Sequence, residues 1–165
     1  MITVERARHQ RYARRVQLRE ILNFVRRHSL AVQASVSSSH APQAAVVGIV
    51  VSDRFEVFFD TLESSRKCQN LRENSRIALV VGWDLAEGRT AQIEGVVDEP
   101  AGTELERFLQ LYFERFPDGV ERQSWPGIAY VRVRPTWLRF SDFSGKQPQI
   151  VEFDANDLVA YTLAR

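Results

Sequence analysis

The residues best placed for chemistry lie in one stretch, Phe58-Phe59-Asp60-Thr61-Leu62-Glu63-Ser64-Ser65-Arg66-Lys67-Cys68. A strand signal ends at Thr61, and a helix signal begins a few residues later with Ser64-Ser65 as N-cap candidates. Hydroxyls and two adjacent cations, Arg66 and Lys67, then fall at the first helical turn. Unpaired backbone N–H groups and the positive end of the helix dipole point the same way. Together these groups are the physical requirements for holding a phosphate. Lys67 is one of two lysines beside twenty arginines, a mild sign that a compact point charge is wanted there. The competing explanation is a capped surface helix whose cations are simply solvated, and the residues alone leave both open.

Other chemistry finds little support. No Ser/His/Asp triad, pair of catalytic carboxylates or metal-ligand cluster stands out. His9, His28 and His40 are not paired at ligand spacing and read as surface residues. Glu63 and Glu94 read as exposed, and Asp142 as a strand-end cap. Cys68 is the single cysteine. That excludes an internal disulfide framework and a cysteine-rich zinc site, fits a reducing cytoplasm, and is expected to be a buried neutral thiol.

The elements that must position the 58–68 stretch are mostly strands. With 165 residues, 44% hydrophobic and 26% charged, the chain is the size of one domain able to bury a core. Its longest apolar runs, such as residues 44–51, are far too short to cross a bilayer as a helix. The net charge of +1 is unevenly spread. Residues 1–28 hold eight arginines against Glu5 and Glu20, a balance of +6, so the remainder sums to −5. Leu18, Ile21, Leu22 and Val25 form a helical stripe, and a helix is expected over about residues 5–28. Its arginines read as a solvated face, and nucleic-acid binding is disfavoured. No apolar stretch follows the first charges, so a secretory signal is not expected.

Strands are expected at Leu30–Ser37, Gln43–Val51, Phe55–Thr61, Arg76–Trp83, Arg89–Asp98, Ile128–Arg134, Trp137–Phe143 and Ile150–Phe153. The nearly all-apolar second one should be buried on both faces or packed against a flat ligand. A short helix within 62–74, a second near Thr103–Phe116 and a final turn after Asn156 complete the pattern. Eight short strands with few helices indicate a mainly β (α+β) chain forming a closed or partly closed barrel. Trp83, Trp125 and Trp137 read as core or interface packing.

Several segments, in order, resemble the FMN-binding split-barrel superfamily of pyridoxamine 5′-phosphate oxidase-like proteins. They are a helix leading into 30–36, then Pro42-Gln43-Ala44-Ala45-Val46-Val47, Phe59-Asp60-Thr61, Ser65-Arg66-Lys67 with Asn70-Leu71, Ser75–Val80, Gln92-Ile93-Glu94-Gly95 and Arg134–Arg139. The similarity covers roughly residues 18–153. It implies a Greek-key split barrel in one domain over 1–165, with the helix at about 5–28 and the barrel at about 30–153. It also implies a homodimer with FMN in the cleft between subunits. Arg66 and Lys67 match the pair that binds the FMN phosphate. Asp60 and Thr61 match the strand-end pair, with Ser65 as a helper. Ala45, Val46 and Val47 match the strand lining the isoalloxazine ring. Thr90 falls where the oxidase carries a glutamine near the flavin, with Gln92 nearby.

Departures from the pattern bear on activity. The Arg-x-His-Asp-Arg pattern that holds substrate in the vitamin B6 oxidase is missing from 140–153, and Ala45 stands where that enzyme has an arginine. The resemblance therefore implies an FMN-dependent oxidoreductase with an unknown small-molecule substrate, not a true pyridoxamine 5′-phosphate oxidase. The alternatives are a non-catalytic flavin-binding or regulatory module, or the deazaflavin (F420) and haem activities of sister families.

Overall fold

The computed structural model describes residues 2–84 and 86–164, with side chains of the first helix described from residue 12. Helix α1 spans Ile2–Arg27. Its stripe Leu18, Ile21, Leu22 and Val25, joined by Phe24, is at most 3% exposed and plugs the main core. Strands β1 (Leu30–Val36), β2 (Pro42–Gly48), β3 (Val50–Val51) and β4 (Val57–Leu62) follow. Next come α2 (Arg66–Glu73), β5 (Arg76–Val81), β6 (Arg89–Asp98), α3 (Gly102–Arg115) and α4 (Gly119–Arg122). The chain closes with β7 (Ile128–Asp142), β8 (Gln149–Asp154) and α5 (Ala155–Leu163). Among the described residues no helix is long and apolar enough to cross a membrane.

The strands form one antiparallel eight-stranded sheet in the order β2-β1-β5-β6-β7-β4-β3, with β8 beside β7. It is the split-barrel fold. The curl comes from an extended run that changes partner. Residues 42–48 pair with β1, whereas Val50 and Val51 pair with Phe58 and Val57 of β4. The two ends of the sheet thus meet at Ile49, which is fully buried. Beyond that point β2 touches β4 with no ladder between them, and a seam opens.

Period-2 alternation sorts the side chains. Val57 and Phe59 of β4 face the main core, together with Ile77, Leu79, Ala91, Ile93 and Leu138. Phe58, on the opposite face, belongs to a second cluster with Val50, Phe108 and Tyr112 under α3. Phe58 stacks between Phe108 and Tyr130 at ring separations of 4.9 and 5.6 Å.

Two sequence expectations change. Residues 128–134 and 137–143, expected as two strands, are one strand of 15 residues. The proline between them is tolerated because it sits at an irregularity. Glu94 pairs with Trp137 and Gly95 with Pro135, so Thr136 is the extra residue of a bulge. Its hydroxyl donates to the Glu94 carbonyl at 3.3 Å. Gly95 is required opposite the bulge, since a Cβ there would lie 2.6 Å from the Arg134 carbonyl oxygen. The second change concerns 42–48, which is not buried on both faces: Val46 is 58% exposed and Ala44 is exposed. Trp83 and Trp125 are each half exposed and stand outside the core.

Candidate functional site

Strand β4 delivers Thr61 to the N-terminus of α2 at the seam. Thr61 Oγ1 lies 3.0 Å from Ser65 Oγ, and Thr61 is 6% exposed. Ser65 is the N-cap: its backbone is extended and its hydroxyl accepts the Cys68 N–H at 3.3 Å. Arg66 and Lys67 open the helix. Among the described residues neither makes an ion pair or side-chain hydrogen bond. Arg72, one helix end away, is by contrast held by Glu63 and Glu99, each at 2.7 Å. The helix N-terminus, the paired Thr61 and Ser65 hydroxyls and two cations without partners among the described residues thus share one short stretch of chain, an arrangement whose chemistry suits an anion.

The helix is anchored to the sheet by a buried amide. Asn70 Nδ2 donates to Ser35 Oγ on β1 at 3.2 Å and to Gln43 Oε1 on β2 at 3.1 Å. Cys68 and Leu71 bury the rest of that face. Burial pushes the Cys68 thiol above its ordinary pKa, so the thiolate needed for nucleophilic work is disfavoured.

The ladder between β1 and β2 tells which backbone groups of β2 are open. Ile49 N–H donates to the Ser29 carbonyl at 2.8 Å, and Ser37 N–H to the Ala41 carbonyl at 3.0 Å. Antiparallel pairs alternate between bonded and non-bonded. In the register Leu30↔Gly48 to Val36↔Pro42, residues 43, 45 and 47 therefore bond to β1. Ala44, Val46 and Gly48 turn their N–H and C=O groups away from β1, toward the seam. The main-chain groups of Ala45 and Val47, expected beside a ring, are used by the sheet, and Val46 is the residue of the three whose amide and carbonyl are available.

Other expected residues separate from this cluster. Asp60 faces away from Thr61 by strand alternation. Its carboxylate accepts from Arg122 Nε of α4 at 2.8 Å, with both side chains under one-fifth exposed. Arg122 also reaches Asp118 and the Tyr112 hydroxyl. Burial, and then the Asp60 charge, raise the pKa of both Tyr112 and Tyr130. Gln92 is exposed on the outer face in the cross-strand row Val46–Val32–Val80–Gln92. Three strand spacings put it about 14 Å from Val46 within one chain. Thr90 pairs with Ser141 two residues away on the same face. As expected, Glu63 and Glu94 are exposed, and Asp142 caps a turn by accepting Ser144 N–H at 2.9 Å and Oγ at 2.6 Å.

Sequence reasoning did not find three side chains that shape the site. These are Asn70 as the tie, Arg122 as the partner that holds Asp60 away from the cluster, and Phe116, whose ring would lie 3.1 Å from a Cβ at Gly48. Each acts across many residues of sequence, so no local signal marks it.

The sheet order and its curl define a split-barrel protein. The chain belongs to the pyridoxamine 5′-phosphate oxidase family, whose model matches residues 18–142. A curated pyridoxine/pyridoxamine 5′-phosphate oxidase from Bordetella avium is 35% identical over 92 residues, 56% of this chain and 41% of that protein. The chain thus matches about two-fifths of the length of that relative. Among solved structures, a heme binding protein from Mycobacterium smegmatis superposes with a TM-score of 0.72 at 12% identity, covering 84% of this chain and 58% of the other. The heme storage protein HutZ from Vibrio cholerae gives 0.64 at 14%, covering 84% and 96%. A general stress protein 26-related protein of the pyridoxinephosphate oxidase family from Clostridium acetobutylicum gives 0.66 at 13%, covering 87% and 98%. At these identities the likeness is one of fold.

Proposed function

We propose that this chain binds FMN non-covalently and works as a cytoplasmic oxidoreductase on a small organic substrate other than pyridoxamine 5′-phosphate. One observation carries the assignment. Arg66 and Lys67, without partners among the described residues, open a helix whose cap hydroxyl meets Thr61 beside the open edge of β2. A phosphomonoester and a planar heterocycle on one ligand match those two features. The hydroxyls of Thr61 and Ser65 and the two cations hold the phosphate. The amide and carbonyl of Val46 face the ring edge, and Asn70 holds the helix in register with β2. FMN when bound supplies hydride or electron transfer. The chain's part is to orient the ring and keep the phosphate dianionic, so the scarcity of acid–base residues is no obstacle.

A homodimer is part of the same proposal. Val46, Leu62 and Val96 are exposed apolar side chains on the outer sheet face, and a second copy would cover them; size-exclusion chromatography with light scattering measures this directly. Haem is the second reading, because structural neighbours are described as haem proteins. The cradle favours FMN, since a phosphate dianion satisfies two cations at a helix N-terminus.

The experiment compares FMN with riboflavin, which lacks the phosphate. Arg66→Ala combined with Lys67→Ala should weaken FMN by roughly tenfold or more per cation lost and leave riboflavin little changed. Equal losses for both ligands make the pair structural. Hemin displacing FMN with higher affinity supports the second reading. Steady-state NAD(P)H oxidation by the loaded protein separates a reductase from a flavin store.

A further inference from the structure

We propose that the groove between α1 and the end of the β6–β7–β8 sheet is a second small-molecule site, one that takes a planar aromatic carboxylate. The groove has a volume of about 540 Å³, within the range of ligand sites. It lies at the Asp142 end of β7, whereas the cradle adjoins the Ile128 end, where Thr61 pairs with Ala129.

Its floor is two cross-strand rows on the inner face of the sheet. The deeper row is apolar, Phe140 beside Val151; the outer row is polar, Arg89–Asp142–Gln149. One face of α1 forms the wall, with Gln17, Glu20, Ile21, Phe24 and Arg27 at helical spacing. Phe24 and Phe140 meet edge-on at 5.1 Å, which makes an aromatic end wall suited to a third ring. Arg89 supplies the hydrogen-bond donors. Its Nε donates to Asp142 Oδ2 at 2.9 Å, and Asp142 is itself fixed by Ser144. The guanidinium is thereby oriented while its two Nη groups donate to nothing among the described residues. An open Nη pair on a fixed plane fits a carboxylate in two-point contact. Both lining arginines are ion-paired, but Arg27 spends an Nη group on Glu87 at 2.8 Å whereas Arg89 is held through Nε alone, so Arg89 is the one with both Nη donors open to a ligand.

The proposal is independent of the flavin assignment, and 2-naphthoate and its neutral isostere 2-naphthamide are the probes. Both are titrated into the full-length protein, with and without FMN, while backbone amide shifts are followed by NMR. Shifts should map to residues 17–27, 89–91, 140–142 and 149–151, with naphthoate bound about tenfold more tightly than naphthamide. Arg89→Gln should erase that preference, Arg89→Lys should lose most of it because an ammonium cannot hold Asp142 and make the two-point contact together, and Phe140→Ala should weaken both probes. Equal affinity of the two probes for the wild type, or shifts centred elsewhere, overturns the proposal whether or not a variant folds. Failure to bind FMN does not bear on it.

Discussion

Asn70 is a buried tie whose removal should be read in both stability and ligand selectivity. Its amide is 6% exposed and donates to Ser35 Oγ at 3.2 Å and Gln43 Oε1 at 3.1 Å. Ser35 is itself 2% exposed, so water cannot readily replace the lost donor. In Asn70→Ala two hydrogen bonds go and one buried hydroxyl loses its partner, a cost of about 2 kcal/mol. For a chain of this size that is a fall of roughly 4–8 °C in Tm. Asn70→Asp should be worse, because it sets a buried carboxylate against the Gln43 amide oxygen, which can only accept. The same bond fixes α2 against β1 and β2, so the N-terminus that carries Arg66 and Lys67 should lose its alignment with Thr61. FMN should weaken more than riboflavin, and the ratio of the two affinities should narrow. The assays are differential scanning calorimetry of the ligand-free protein and fluorescence titration with each flavin. An unchanged Tm for Asn70→Ala would refute the tie. A lowered Tm with an unchanged affinity ratio would show that Cys68 and Leu71 alone hold the helix in place.

Three further outcomes follow from particular contacts. Among the described residues, Gln33 is 1% exposed and its Oε1 has no hydrogen-bond partner; Gln33→Leu should raise the unfolding free energy by about 1 kcal/mol in urea titrations, and a loss would overturn the reading of that oxygen as an uncompensated buried acceptor. Gly95→Ala should cost about 2–3 kcal/mol by the same measurement, because its Cβ would lie 2.6 Å from the Arg134 carbonyl oxygen and 2.7 Å from Val133 Cγ1. Asp98 has its pKa held below the ordinary 3.8 by hydrogen bonding to Arg132, which donates at 2.8 and 2.6 Å. A depressed folded pKa means that the stabilisation is complete above 3.8 and disappears as pH falls through the folded value. Tm should therefore drop more steeply below pH 4 in the wild type than in Asp98→Asn, and parallel curves would contradict the assignment.

What was legible in the sequence is what is local. The cap, hydroxyls and cations of the cradle sit within seven residues, 61–67, so helix-capping chemistry placed them together before any tertiary contact was known. Alternation gave the barrel, because each strand carries its own inward face. The stripe 18–25 gave the helix, because two turns of periodicity are enough to mark a buried side. The late strands read as two because a proline is a fair stop signal; only pairing with β6 supplies the bulge that absorbs it. The nearly all-apolar run 43–51 is ambiguous for a related reason. Its composition says that it avoids water, but whether a strand lies inside a sheet or at an open edge is a property of its neighbours.

Tertiary structure alone decided that the run changes partner at Ile49, that the seam opens there, and that Val46 rather than Ala45 or Val47 offers its amide and carbonyl. It also turned Asp60 away from Thr61 into a pair with Arg122, 62 residues on, and tied Asn70 to Ser35 and Gln43. The physical reason is the range of the interactions. Caps, dipoles and periodicity act over one or two turns and are written in adjacent residues. Register, edges and ion pairs depend on which distant segments meet, and that is fixed only when the whole sheet has curled.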